Sequence, residues 1–238
     1  VPRYHRPGGG LYFEDVNPRF AETKDPAAFD RLAVPAISER ELDWVRGEVR
    51  RLSTSDRAIV ATLPTSIFER GIKDFGYEEW LVRIMTDRSI VHAYLAYLER
   101  SYNALIDSYV QAMQRVDVVV ISDDFGTQQS LLIPPQVYQQ LFKPLQTRLN
   151  QRIRQNAPAV KLLLHSCGAV RPLIPDFIEA GFHALNPVQI TAAGMDAREL
   201  KREYGRSIAF WGGGVDTQHT LAQAGPQAVR DEVRKQIE

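Results

Sequence analysis

What most constrains the fold of this chain is a repeated pattern: five short, nearly continuous apolar runs, each followed by a longer helical stretch. The runs are AIVATL (58–63), VDVVVIS (116–122), KLLLH (161–165), FHALNP (182–187) and IAFW (208–211). Runs without polar alternation belong to strands covered on both faces, and helices between them make the strands parallel. The helical stretches fall at 77–85, 89–115, 135–156, 172–180, 196–204 and 227–237, with Gly181 and Gly205 closing two of them. Ser38 followed by Glu41 is a capping-box pattern that opens a helix to about Leu52. Residues 1–40 carry five prolines and Gly8–Gly10 and read as irregular; the aromatics Tyr4, Tyr12, Phe13 and Phe20 are expected to pack onto the body. The expected organisation is thus an irregular segment plus one helix over 1–57, packed on an α/β body over 58–238.

Two architectures accommodate this pattern. An open doubly wound sheet needs no more than five strands. A (β/α)8 barrel needs eight in about 250 residues, so these runs would be part of a barrel whose other strands lie outside the chain. Both place their chemistry at the carboxyl ends of the strands, which directs attention there in either case.

The third run ends His165-Ser166-Cys167-Gly168. Side chains alternate across a strand, so His165 and Cys167 project to the same side. Imidazole and thiol together suit a zinc ion with one open position; they equally suit a Cys–His nucleophile pair, or a half-buried cysteine beside a hydrogen-bonded histidine. The second run ends Ser122-Asp123-Asp124. By the same alternation at most one of these carboxylates faces a site, while the other binds the following loop or caps a helix. The fifth run ends Trp211-Gly212-Gly213-Gly214-Val215-Asp216, where glycines permit close backbone approach to a ligand or simply a tight turn. The fourth offers the amides of Asn186 and Gln189 at the same rim, and the first ends Pro64-Thr65-Ser66, whose hydroxyls read as caps. Of the other histidines, His219 is the one placed to reach the site from the glycine loop; His5, His92 and His183 lie away from the strand ends.

Composition narrows the function further. Lys and Arg number 29 against 29 Asp and Glu, giving a formal net charge of zero over 238 residues and no electrostatic footprint for nucleic acid or an anionic membrane surface. A single cysteine forms no internal disulfide and excludes cysteine-rich zinc modules. No apolar run approaches the 18–20 residues of a membrane span, and no signal-peptide pattern opens the chain, so a cytoplasmic location is expected.

Taken together, LLLHSCGAVRPLIPDFIEAGFHALNPVQ (162–189), FWGGGVDTQ (210–218) and VDVVVISDDFGTQQSLLIPPQVYQQLFKP (116–144) resemble the uroporphyrinogen decarboxylase superfamily, nearest to its branch of corrinoid-dependent methyltransferases. The resemblance implies a (β/α)8 TIM barrel, here with about five of its eight strands. It implies zinc bound by the HxC pair His165 and Cys167, with a further cysteine falling beyond Glu238. Catalytic roles then go to Cys167, His165 and Asp124, and substrate contacts to Asp123, Asn186, Gln189, Gly213 and Asp216. The implied reaction moves a methyl group between a corrinoid, carried by a separate corrinoid protein, and a thiol or other small donor or acceptor. Two alternatives stay open: a cofactor-free porphyrinogen decarboxylase, and a non-catalytic barrel that binds a tetrapyrrole or corrinoid.

Overall fold

A computed structural model describes residues 4–5, 14–15 and 17–237. Near its start lies a two-residue antiparallel pair, β1 (Tyr4–His5) with β2 (Glu14–Asp15), a small departure from the expected irregular opening; Tyr12 and Phe13 lie outside the described residues. Phe20 does pack onto the body, as does Phe29: both are buried against Phe75 and Tyr94 in a cluster of edge-on and tilted rings. Helix α1 (Glu39–Leu52) starts where its cap predicts, with the Glu41 N–H donating to Ser38 Oγ.

The five apolar runs form one parallel sheet of β3 (Val60–Leu63), β4 (Val118–Ser122), β5 (Lys161–His165), β6 (Ala184–Asn186) and β7 (Ala209–Phe210). Their spatial order is their order in the sequence. A doubly wound sheet reverses order at a switch point, whereas a barrel adds each strand beside the last. The sheet is therefore the singly wound arrangement of an incomplete barrel. Leu162, Leu163 and Leu164 of β5, in its middle, are all buried, which is why that run shows no polar alternation.

Helices cover the sheet between strands. Between β3 and β4 come α2 (Phe68–Phe75), α3 (Tyr77–Thr86) and α4 (Arg88–Ala112). Gly76, at φ 90°, ends α2 and starts α3, a left-handed position that suits glycine. The Trp80 ring of α3 lies over Gly71 of α2 so closely that a Cβ there would be 2.2 Å from it. Asp74, buried in α2, accepts hydrogen bonds from Arg70 Nε and Nη2 and from the Tyr94 hydroxyl, joining α2 to α4.

Between β4 and β5 a single helix over 135–156 was expected. The structure instead has a short α5 (Pro135–Val137), one wide turn of π-helix over Tyr138–Phe142, and α6 (Lys143–Asn156). Pro144 is the cause: it has no N–H for the Gln140 carbonyl, and its ring would crowd that carbonyl in a regular helix. After β5 a 3-10 turn leads into α7 (Ile174–Glu179); α8 (Ala197–Tyr204), capped by Asp196, follows β6; α9 (Thr220–Gln223) and α10 (Pro226–Ile237) follow β7. No helix among the described residues is long and apolar enough to cross a membrane.

Candidate functional site

The parallel register brings the strand ends into one row, with Ser122 beside His165 and His165 beside Asn186. Beyond them the ladder continues for one more step: the Asp123 N–H donates to the His165 carbonyl and the Ser166 N–H to the Asn186 carbonyl. The two residues flanking Ser166 turn the same way, as alternation requires. Ser166 itself is buried on the other side, where its hydroxyl accepts the Phe125 N–H.

Asp124, His165 and Cys167 converge at this rim, and their ligand atoms all lie within 4.8 Å of one another. Cys167 Sγ is 3.6 Å from His165 Nε2, and Asp124 Oδ1 accepts the Cys167 N–H at 2.7 Å. The tautomer of His165 follows from its neighbours. Asn186 Nδ2 donates to the Trp211 carbonyl at 2.7 Å, which is acceptor only, so Asn186 Oδ1 must be the atom 2.6 Å from His165 Nδ1. An amide oxygen accepts, hence Nδ1 carries a proton, and in the neutral imidazole the lone pair is on Nε2, the nitrogen that faces the thiol. Asn186, assigned above to substrate, in fact sets the histidine. Nitrogen, sulfur and oxygen donors within a few ångströms, each side chain half-buried, form a donor set that fits zinc with one position left open.

Burial, helped by the adjacent Asp124 carboxylate, pushes the Cys167 thiol up to about 11. The metal-free protein at pH 8 thus holds little thiolate. Its alkylation by iodoacetamide at that pH is expected to be on the order of a hundredfold slower than that of free cysteine, rising as pH approaches 11; rates equal to those of free cysteine would contradict this environment.

Residues 8–238 match the family described as Uroporphyrinogen decarboxylase (URO-D). The chain belongs to that family. Among solved structures it resembles a methyltransferase from Methanosarcina mazei, with a TM-score of 0.69 and 18% sequence identity. The match covers 94% of this chain and 63% of that one, so the chain spans under two thirds of that structure, and at this identity the likeness is one of fold. A search of curated proteins found no match.

The other expected residues of this URO-D family member divide into two groups. Gly213 and Gln189 line a cavity of about 370 Å³ next to Cys167, together with Pro187, Val188, Ile190 and Gly212. Gln189 Oε1 also accepts the Gly168 N–H at 3.0 Å, bracing the turn after Cys167. Val188 sits at φ 56°, a left-handed conformation that strains a β-branched side chain by about 1–3 kcal/mol. Strain of this kind is typical of functional loops.

Asp123 and Asp216, by contrast, are not part of this arrangement. Asp123 is completely buried, and its carboxylate accepts the N–H groups of Ile67, Phe68 and Glu69 at 2.9–3.1 Å, so it caps α2 rather than contacting substrate. The hydroxyls of Thr65 and Ser66 do not cap that helix. Asp216 binds the backbone of Gln218 and His219 and the His219 ring, which holds His219 in an exposed turn.

One acidic residue was not singled out from the sequence. Glu69, in the first turn of α2, accepts the Ser122 hydroxyl through Oε2 at 3.3 Å, and its charge contributes to raising the Cys167 thiol. In sequence it reads as an ordinary charge on a helix. The one available signal was its place six residues after the end of a strand.

Proposed function

We propose that this URO-D family member is a zinc-dependent methyltransferase that moves a methyl group between a corrinoid carried by a partner protein and a small-molecule thiol or other donor or acceptor. The observation that carries the reading is the convergence of Asp124, His165 and Cys167, with the histidine tautomer already set for ligation. His165 Nε2, Cys167 Sγ and an Asp124 oxygen would hold the ion. Bound there, zinc would lower the pKa of a coordinated thiol and keep it as the nucleophilic thiolate near neutral pH. Asn186 would keep the imidazole oriented, and Gln189 would keep the Cys167–Gly168 turn in place. The cavity beside Cys167, with its glycine wall, would take the small molecule. The fold likeness to a methyltransferase supports the same reading. A ligand thiol persists in a reducing compartment, which agrees with a cytoplasmic location.

The test is metal content. The purified protein is expected to carry about one zinc per chain, and Cys167→Ser to lose it together with methyl transfer. Adding Zn²⁺ to the metal-free protein is expected to release about one proton per chain from the thiol, seen with an indicator dye. Full metal content in Cys167→Ser, or turnover of uroporphyrinogen that chelators leave untouched, would overturn the reading.

A further inference from the structure

Resting on the metal reading above, we infer that the Glu69 carboxylate sets the charge preference of the site: it favours small thiols with a cationic or neutral tail over those with an anionic one. Glu69 is held in place rather than free to swing away. Its backbone N–H donates to Asp123 Oδ1 at 2.9 Å, and its Oε2 accepts the hydroxyl of Ser122, which stands beside His165 in the sheet.

The surrounding charges leave Glu69 unbalanced. A bound dication offsets the Asp124 carboxylate and the Cys167 thiolate, and His165 ligates as the neutral imidazole. The nearest cation in sequence, Arg70, is turned away into a two-point pair with the buried Asp74. Arg171, beyond the loop after Cys167, is committed to Glu199 and Glu203. The cavity beside Cys167 is lined by apolar, amide, hydroxyl and glycine residues, with no basic side chain among those described. Among the described residues around the loaded site, the negative charge of Glu69, held across Ser122 from His165, therefore has no cation beside it to balance it. Charges a few ångströms apart in a partly buried site interact strongly enough to discriminate between ligand tails of opposite sign.

A matched pair of probes tests this. 2-Aminoethanethiol and 3-mercaptopropionate place an ammonium or a carboxylate at similar distances from the same thiol. Each is titrated into the Co²⁺-loaded protein, and binding is followed by the near-ultraviolet sulfur-to-cobalt absorbance. The aminothiol is expected to bind more tightly by on the order of tenfold to a hundredfold. Glu69→Gln keeps an acceptor for Ser122, so it is expected to retain the metal while reducing that ratio to a few-fold. Comparison with the variant cancels intrinsic differences between the two thiols. A ratio unchanged in Glu69→Gln, or a wild-type preference for the carboxylate, overturns the inference and leaves the metal reading standing. A protein that takes up no metal overturns both.

Discussion

Asp123→Ala is expected to destabilise the protein by about 3–5 kcal/mol, because it strips a buried helix end of its acceptor. The first three N–H groups of an α-helix have no partners within it. In α2 those of Phe68 and Glu69, with that of Ile67 before them, converge on one carboxylate from the neighbouring strand, and none has another side-chain cap. Alanine leaves them unsatisfied where water does not reach. Chemical denaturation reads the loss directly, and a change under 1 kcal/mol would refute the capping role.

The same residue makes a pH prediction. Burial raises the Asp123 carboxyl to about 7 against the opposing pull of its N–H donors. A folded-state pKa above the unfolded one means that the folded protein holds the proton more tightly. The stability contributed is therefore present at low pH and lost as pH rises from near 4 through about 7. Asp123→Asn has no such titration, so its deficit relative to the wild type is expected to shrink between pH 5 and pH 7.5. A deficit that grows over that range would contradict the sign.

Asp123 also shows where the sequence was legible and where it was not. The strands were readable because burial on both faces leaves an unbroken apolar run, and the His165–Cys167 pair was readable because a strand has period two. That same period allowed only one of Asp123 and Asp124 at the site. Which one depends on the start of α2, a segment 54–56 residues earlier in the chain. Helix α2 itself went unread for the related reason that its cap is the distant Asp123, while the adjacent Thr65 and Ser66, which read as caps, make no bond to its first turn. The wide turn at Tyr138–Phe142 needed the consequence of Pro144 to be followed one turn upstream. Asn186 was placed at the rim correctly, but its role rests on a contact to the Trp211 carbonyl, which no spacing rule supplies. Glu69 acquires its place only from the packing of α2 over the end of β4.

On the zinc reading proposed above, Gly168→Ala is expected to remove the metal without touching a ligand. Gly168 follows Cys167 at φ 85°, where an L side chain costs about 1–2 kcal/mol. The larger problem is space. A Cβ there would lie 2.5 Å from Gly126 C, 2.6 Å from Thr127 O and 2.7 Å from Gly126 O, all backbone atoms that no rotamer change can clear. Gly126 is tight from the opposite side, since a Cβ on it would be 2.7 Å from the Cys167 carbonyl. The loops after β4 and β5 thus touch backbone to backbone, fastened by the Ala169 N–H donating to Thr127 O at 2.8 Å. These are the loops that carry Asp124 and Cys167. Any shift that admits the methyl group moves one ligand relative to the other, and metal sites tolerate only a few tenths of an ångström. Metal affinity is therefore expected to fall at least as far as the tenfold to hundredfold typical of lost support around a ligand, with about 2–4 kcal/mol lost from the fold. Gly214→Ala is the control: that glycine is at the same rim, and a Cβ on it meets nothing within 4 Å, so zinc retention should stay near wild type. Equal zinc retention in both variants would show that the close approach of the two loops does not position the ligands.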